Sequence, residues 1–132
     1  MGDLKRVLIV DDIKTGSIYA EALGIHGFSV DLVTNGLSAM KKLEAGPYDM
    51  VITELDLPHL RGADLYLRAV ERWPELENRF IYIGNNEPGD MRERAIMKGR
   101  FMRKPFPISS LIEYVEAILK RQEYQLLLKG PD

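Results

Sequence analysis

The stretch from Tyr48 to Gly62, Y-D-M-V-I-T-E-L-D-L-P-H-L-R-G, constrains the fold of this chain more than any other. Its apolar run, Met50 to Thr53, ends abruptly in Glu54 and then Asp56, and a proline-led loop closes on Gly62. A buried strand that delivers carboxylates to its own C-terminal end is how open α/β sheets build sites, because ligands bind outside the carboxyl ends of the strands. Two further apolar runs end in the same manner, one in Asp11-Asp12 and one in Lys104-Pro105. Acids on two strand ends and a lysine on the third predict a site for a divalent cation and a phosphoryl-like anion.

Composition narrows the alternatives. At 132 residues the chain has the length of one domain with a proper core. Lysine and arginine number 18 against 20 acids, a net charge of −2, so no global field recruits nucleic acid or an anionic membrane. The absence of cysteine excludes disulfides, thiol catalysis and zinc–thiolate sites. His26 and His59 share no ligand spacing, and no apolar run approaches the ~18 residues of a membrane span. The N-terminus lacks a signal-peptide shape, and Arg6 stands where a myristoylation site at Gly2 wants serine or threonine. A cytoplasmic setting is the expectation.

Taken in order, Arg6–Val10 is a β-branched run without polar alternation, as in a parallel strand covered on both faces. Ile13 to Ile25 reads as a helix with Ile18, Ala22 and Ile25 on one face, stopped at His26-Gly27. Phe28 to Val33 is a second strand, and a helix from about Leu37 to Ala45 carries Leu37, Met40 and Leu43 before Gly46-Pro47 breaks it. After the acidic loop, Ala63 to Trp73 is helical with Leu65, Ala69 and Trp73 in register, and Pro74 ends it. Phe80–Ile83 is a fourth strand, Asp90 caps a short basic helix to Lys98, Phe101-Met102 is a fifth strand, and a last helix starts at Ser109 or Ser110. Strands alternating with helices through short loops mean βαβ units and a parallel sheet. Beyond the core, Leu126-Leu127-Leu128 cannot share one helix stripe, so the last helix is predicted to run past Arg121 and dock these leucines on a second chain, a homodimer, or on a further domain. Residues 1–121 form the domain on this reading, and 122–132 a helical extension or linker.

L-I-V-D-D at 8–12, Y-D-M-V-I-T-x-x-D-L-P-x-x-x-G around the third strand and K-P-F at 104–106 together resemble the receiver domain of two-component response regulators. The resemblance spans roughly Lys5 to Leu119. It implies a flavodoxin-like, doubly wound five-stranded parallel sheet of order 2-1-3-4-5 with helices on both faces. It also implies roles. Asp11 and Asp12 match the acidic pair that helps hold Mg²⁺, Asp56 falls where the family offers a backbone carbonyl to the metal, and Lys104 matches the lysine before proline. Phe101 takes the place of the switch aromatic. Magnesium and a lysine make sense there, because a carboxylate attacks a polyanion poorly unless cations neutralise its equatorial oxygens.

Two positions depart from the pattern. Glu54 stands where the phosphoacceptor aspartate belongs, and Gly84 where a serine or threonine would bind the new phosphate. One extra methylene moves the carboxylate by about 1.5 Å, and near-attack geometry is intolerant of such a displacement. The longer arm either mimics the phosphorylated state toward Lys104 or survives merely as its ion-pair partner. Asn85 is a substitute donor if the strand end slips by one residue, and otherwise a turn former. Phe101 keeps an apolar body without a phenolic hydroxyl. Asp11-Asp12 would repel a flavin phosphate, which argues against flavin binding.

Arg92, Arg94, Lys98, Arg100, Arg103 and Lys104 place six cations in thirteen positions against Glu93 alone, which reads as a partner-docking face or a solvated one. The sequence thus predicts a receiver that has lost ordinary aspartyl phosphorylation and acts as a protein-interaction module, with weak Mg²⁺ binding. Its partners would be a histidine kinase or another signalling domain, and neither nucleic acid nor membrane. The alternatives are a phosphorelay receiver with a non-standard acceptor such as Asp56, and a Mg²⁺-dependent phosphoryl-transfer enzyme of related fold. No second general acid is evident for the latter, so no enzymatic turnover is expected beyond self-phosphorylation from a phosphodonor.

Overall fold

The computed structural model describes residues 4–129, so positions 1–3 and 130–132 of the predicted divisions, with the Gly2 myristoylation position, lie outside the described residues. Five strands form one sheet: β1 (Arg6–Val10), β2 (Ser29–Val33), β3 (Met50–Glu54), β4 (Phe80–Gly84) and β5 (Phe101–Arg103). Their order is β2-β1-β3-β4-β5 and every neighbouring pair is parallel, as expected. Helices α1 (Ile13–Ile25), α2 (Gly36–Ala45), α3 (Gly62–Arg72), α4 (Met91–Met97) and α5 (Ile108–Lys129) follow the strands in turn. A 3₁₀ turn at Pro74–Asn78, which sequence reasoning missed, joins α3 to β4.

Alternate residues of each strand feed two separate cores. Leu8, Val10, Val51, Phe80 and Tyr82 pack with Ala39 and Leu43 of α2 and Leu65 and Tyr66 of α3. Val7, Ile9, Met50, Ile52, Ile81 and Ile83 pack on the other face with Tyr19 and Leu23 of α1 and with Leu111 and Val115 of α5. Both faces being covered explains why the strands read as continuous apolar runs. Each fully buried leucine or isoleucine among them contributes about 1.5–3 kcal/mol of burial free energy.

Two inner faces differ from expectation. On α1, Ile18 and Ile25 are 58% and 77% exposed, and the buried residues are Gly16, Tyr19 and Leu23. Apolar residues lie on two sides of this helix, and the side chosen is the one where Gly16 lets the backbone approach Leu32. Tyr19 then stacks on Phe106 at 5.9 Å between ring centroids. On α2, Leu37 is exposed while Ala39 and Leu43 are buried. Smaller shifts at the boundaries follow hydrogen bonds. Phe28 donates its N–H to the Leu23 carbonyl and so closes α1 instead of opening β2, and Glu54, Gly84 and Arg103 each extend a strand by one residue.

Helix α5 begins at Ile108, earlier than predicted, and runs unbroken past Arg121 to Lys129. Gln122 donates to the Asn78 carbonyl at 2.7 Å, the last hydrogen bond from α5 to the domain, and Lys5 pairs with Glu123 at 3.8 Å. Beyond that, Leu126 continues the stripe of Val115 and Leu119, whereas Tyr124 and Leu128 fall on the opposite side of the helix and Leu127 on the flank between. All four are exposed.

One core atom invites a test. The Tyr82 hydroxyl is buried without a hydrogen-bond partner, and burial pushes its ionisation upward. An unsatisfied buried hydroxyl costs about 1–3 kcal/mol. Tyr82→Phe is therefore expected to leave stability unchanged or raise it, read as the urea midpoint. A loss above about 1 kcal/mol would mean that the hydroxyl has a partner after all.

Candidate functional site

The three strand ends converge as predicted. Asp11 follows β1 and is held there by its N–H on the Val33 carbonyl at 3.1 Å. The residue is only 3% exposed; Oδ1 accepts from the Asp12 N–H at 2.7 Å, while Oδ2 has no hydrogen-bond partner. Asp12 is exposed and serves as the N-cap of α1, accepting from the Thr15 N–H at 2.8 Å. That bond, together with the Asp11 contact, holds the Asp12 carboxyl below the usual carboxylate range.

Glu54 ends β3, is 8% exposed, and accepts from Lys104 Nζ at 2.6 Å. Lys104 is fixed by its own N–H on the Gly84 carbonyl at 2.8 Å, and its Nζ stands 3.9 Å from Asp11 Oδ2. Burial alone would lower the Lys104 ammonium, but the Glu54 hydrogen bond and the charges of Asp11 and Glu54 hold it above its ordinary value. The Lys104–Pro105 bond is cis. Gly62 closes the acidic loop so tightly that a Cβ there would meet the Glu54 carbonyl oxygen at 2.7 Å, which accounts for glycine at the end of the motif.

Gly84 is buried against Phe101. A Cβ on Gly84 would meet Phe101 Cε1 at 3.1 Å and Cζ at 3.4 Å, so the ring occupies the space a larger residue would need. Phe101 is half-buried and packs on the core cluster beneath α3 and α4. Asn85 is exposed and its side chain makes no bond to the acid group; its carbonyl accepts from Arg103 Nε at 3.3 Å.

Asp56 lies beside this group on the exposed side, donating its N–H to Glu54 Oε1 at 3.4 Å. Its carboxylate accepts from Arg61 Nη1 at 2.6 Å, and Arg61 also forks onto Glu93 of α4 at 2.8 and 3.1 Å. Arg61 thus ties the acidic loop to α4, a role sequence reasoning missed. A contact across 32 residues leaves no local sequence signal. The histidines take no part in the acid group: His59 is an exposed loop residue at φ 68°, and His26 caps the end of α1.

The basic run does not form one free strip. Arg94 donates to the Pro88 carbonyl at 2.6 Å, Arg103 reaches Asn85, Lys98 pairs with Glu77 at 3.3 Å, and Arg100 donates to the Asn78 carbonyl. Arg92 is exposed on α4.

Burial raises the Asp11 carboxyl to about 6, against the partial relief of the Asp12 N–H and Lys104. A carboxyl that titrates higher folded than unfolded favours the fold while protonated, below the unfolded value of 3.8, and loses that advantage as pH rises through about 6. The displacement corresponds to roughly 3 kcal/mol. Asp11→Asn should therefore raise the urea midpoint at about pH 7.5 and change it little near pH 4. Equal effects at both pH values would contradict this.

A hard divalent cation fits these residues only in part. Asp11 Oδ2 is an uncommitted carboxylate oxygen with Asp12 beside it, but Glu54 is held by Lys104. Among the described residues, no group of three or more His, Asp or Glu stands ready to hold a metal ion.

The model of the response regulator receiver domain family matches residues 7–116. The transcriptional regulatory protein PcoR of Escherichia coli is 28% identical over 123 residues, covering 92% of this chain and 54% of its own length. The response regulator receiver protein CpdR of Brucella abortus is 29% identical over 121 residues, with 88% of this chain and 98% of its own length covered. The chain thus spans about half of the first relative and nearly all of the second. In fold it is similar to the CheY-like receiver domain protein of Methanospirillum hungatei JF-1, at a TM-score of 0.81 and 21% identity over 93% of this chain and 99% of that one. Among the described residues, no helix is long and apolar enough to cross a membrane.

Proposed function

Since the chain belongs to the response regulator receiver domain family of two-component systems, we propose that it is a receiver working as a phosphorylation-independent protein-interaction module. The observation that carries this reading is the Glu54–Lys104 pair at 2.6 Å, 92% buried on the glutamate side. It puts a fixed negative charge and its counter-cation at the strand edge where, by the family pattern, a phosphoryl group would come and go. The Gly84–Phe101 contact supports it too. With no hydroxyl at residue 84 and the ring already packed over the glycine, the contact by which the family pattern reports a phosphate is absent. A ligand shifts an equilibrium only by its differential affinity for the two states, and the reporting contacts are gone.

A relay through Asp56 is disfavoured, because its carboxylate is engaged by Arg61 on the exposed side of the loop. Magnesium binding is weak on this reading, with Asp11 and Asp12 supplying hard oxygens and the Asp56 carbonyl adding the contribution the family pattern implies. Partners are other signalling proteins, a histidine kinase among them. The exposed leucines on more than one side of the α5 extension suit burial by a second copy or an adjoining domain, since contiguous exposed apolar side chains are rarely left to solvent. Acetyl phosphate with Mg²⁺ should leave the intact mass unchanged, and beryllofluoride with Mg²⁺ should leave the amide resonances from Gly84 to Phe101 in place. Stoichiometric phosphorylation, on Asp56 or Glu54, would replace this reading with the working relay.

A further inference from the structure

We infer that α4 is a hinged arm held shut by one guanidinium, that of Arg61, so that the domain opens at α4 with no phosphoryl group involved. The helix has little apolar surface to hold it. Of its seven residues only Met97 is buried; Ile96 packs partly against the cluster that contains Tyr66 and Tyr82, and Met91 is 83% exposed. Segments with few buried apolar contacts open locally before the core does. The backbone at its C-terminal end supplies a hinge. Lys98 and Gly99 are both left-handed, at φ 51° and 77°, and a Cβ on Gly99 would meet nothing within 4 Å. Hinges are a few residues at the ends of elements that absorb such changes in φ and ψ. At the other end, Asn85, Asn86 and Glu87 are exposed, and the Arg94 bond to the Pro88 carbonyl joins the helix to that same loop.

Among the described residues, two ion pairs tie α4 and its cap to the rest of the domain. Lys98 meets Glu77 at 3.3 Å beside the hinge, with both side chains more than half exposed, where water and salt screen the pair. Arg61 is different. It forks onto both oxygens of Glu93, at 2.8 and 3.1 Å, the Glu93 side chain is only 16% exposed, and Asp56 orients the guanidinium from the other side at 2.6 Å. Bidentate, charge-assisted bonds of this kind are the strong ones. Without Arg61, the carboxylate of Glu93 is left partly dry and unpaired, and it regains water when α4 swings out. Opening also turns Ile96 and Met97 to solvent, which makes an apolar surface that the shut domain lacks. The inference goes beyond the proposed function and does not depend on it, because it is read by amide exchange, whereas the phosphorylation test reads phosphoryl transfer.

Native-state amide exchange at rising urea tests the arm and its tie separately. In the wild type the amides of Ala95 to Lys98 should exchange through an opening that depends less on urea than that of the β1 and β3 amides, since only α4 leaves the domain. Arg61→Gln should speed this exchange by about tenfold, the factor that about 1.4 kcal/mol carries, and keep its urea dependence small. Glu93→Gln should do the same, and the double variant no more than either, because both substitutions remove one pair. Dilute hydrogen peroxide gives a second reading. Met91 should oxidise alike in every variant, while Met97, which is 4% exposed, should oxidise faster in all three than in the wild type. Wild-type α4 amides that share one opening free energy and one urea slope with the β-strand amides overturn the proposal. So does an Arg61→Gln protein whose α4 exchange and Met97 oxidation match the wild type.

Discussion

Lys104→Met should destabilise this domain by about 3–5 kcal/mol at neutral pH, because it strips the counter-cation from two buried carboxylates. Glu54 is 8% exposed and Asp11 3%, and Lys104 is the cation near both, at 2.6 and 3.9 Å. A loss of that size is a large share of the 5–15 kcal/mol typical of a domain. The loss should shrink in two ways that a packing defect would not. Below about pH 6 Asp11 takes up its proton, which removes one of the stranded charges. Glu54→Gln in the same chain removes the other, so the double variant should be more stable than Lys104→Met alone. A double-mutant cycle in urea gives the coupling directly. If Lys104→Met unfolds within about 1 kcal/mol of the wild type at every pH, the pair is solvent-screened, and the fixed-charge reading of Glu54 goes with it.

Much of this site is legible in the sequence because backbone geometry fixes it. Once Val7–Val10, Met50–Thr53, Phe80–Ile83 and Phe101–Met102 are parallel neighbours, their C-terminal ends share one edge, and Asp11, Glu54 and Lys104 lie along it. The sheet order is what the receiver resemblance implies, and the observed order β2-β1-β3-β4-β5 agrees with it. Side-chain choices that depend on a distant element are another matter. Helix α1 carries apolar residues on two sides, and only the approach of Leu32 to Gly16 decides which is buried. The six-cation run looks like a strip in one dimension, but Lys98 and Arg100 turn toward Glu77 and Asn78 while Arg94 and Arg103 bond loop carbonyls. Arg61 carries no motif at all. Its worth lies in Asp56 and Glu93 arriving on either side of one guanidinium, which can make five directed hydrogen bonds.

The second large effect concerns restoration of chemistry and requires two substitutions. Glu54→Asp withdraws the carboxylate by about 1.5 Å, loosening its hold on Lys104 while Asp11 and Asp12 stay in place. This variant should take a phosphoryl group from acetyl phosphate with Mg²⁺, seen as the added mass of one phosphoryl group that the wild type is expected not to acquire. It should nonetheless transmit nothing, because Phe101 is already packed over Gly84. Gly84→Thr changes that. A Cβ 3.1 Å from Phe101 Cε1 is inside the ordinary contact distance of about 3.5–4.0 Å, and overpacking of this kind costs about 1–3 kcal/mol if nothing moves. The ring is only half-buried, so it can swing outward instead, and the amides of β5 and α4 should shift in Gly84→Thr before any phosphodonor is added. In the double variant the new hydroxyl gives phosphate a contact that differs between ring-in and ring-out, so acetyl phosphate should then move those amides back toward the wild-type positions. If Glu54→Asp alone, once phosphorylated, moves the β5 and α4 amides as far as the double variant does, the signal passes by a route that does not need residue 84. If Gly84→Thr leaves Phe101 where it is, the glycine is not what holds the ring inward.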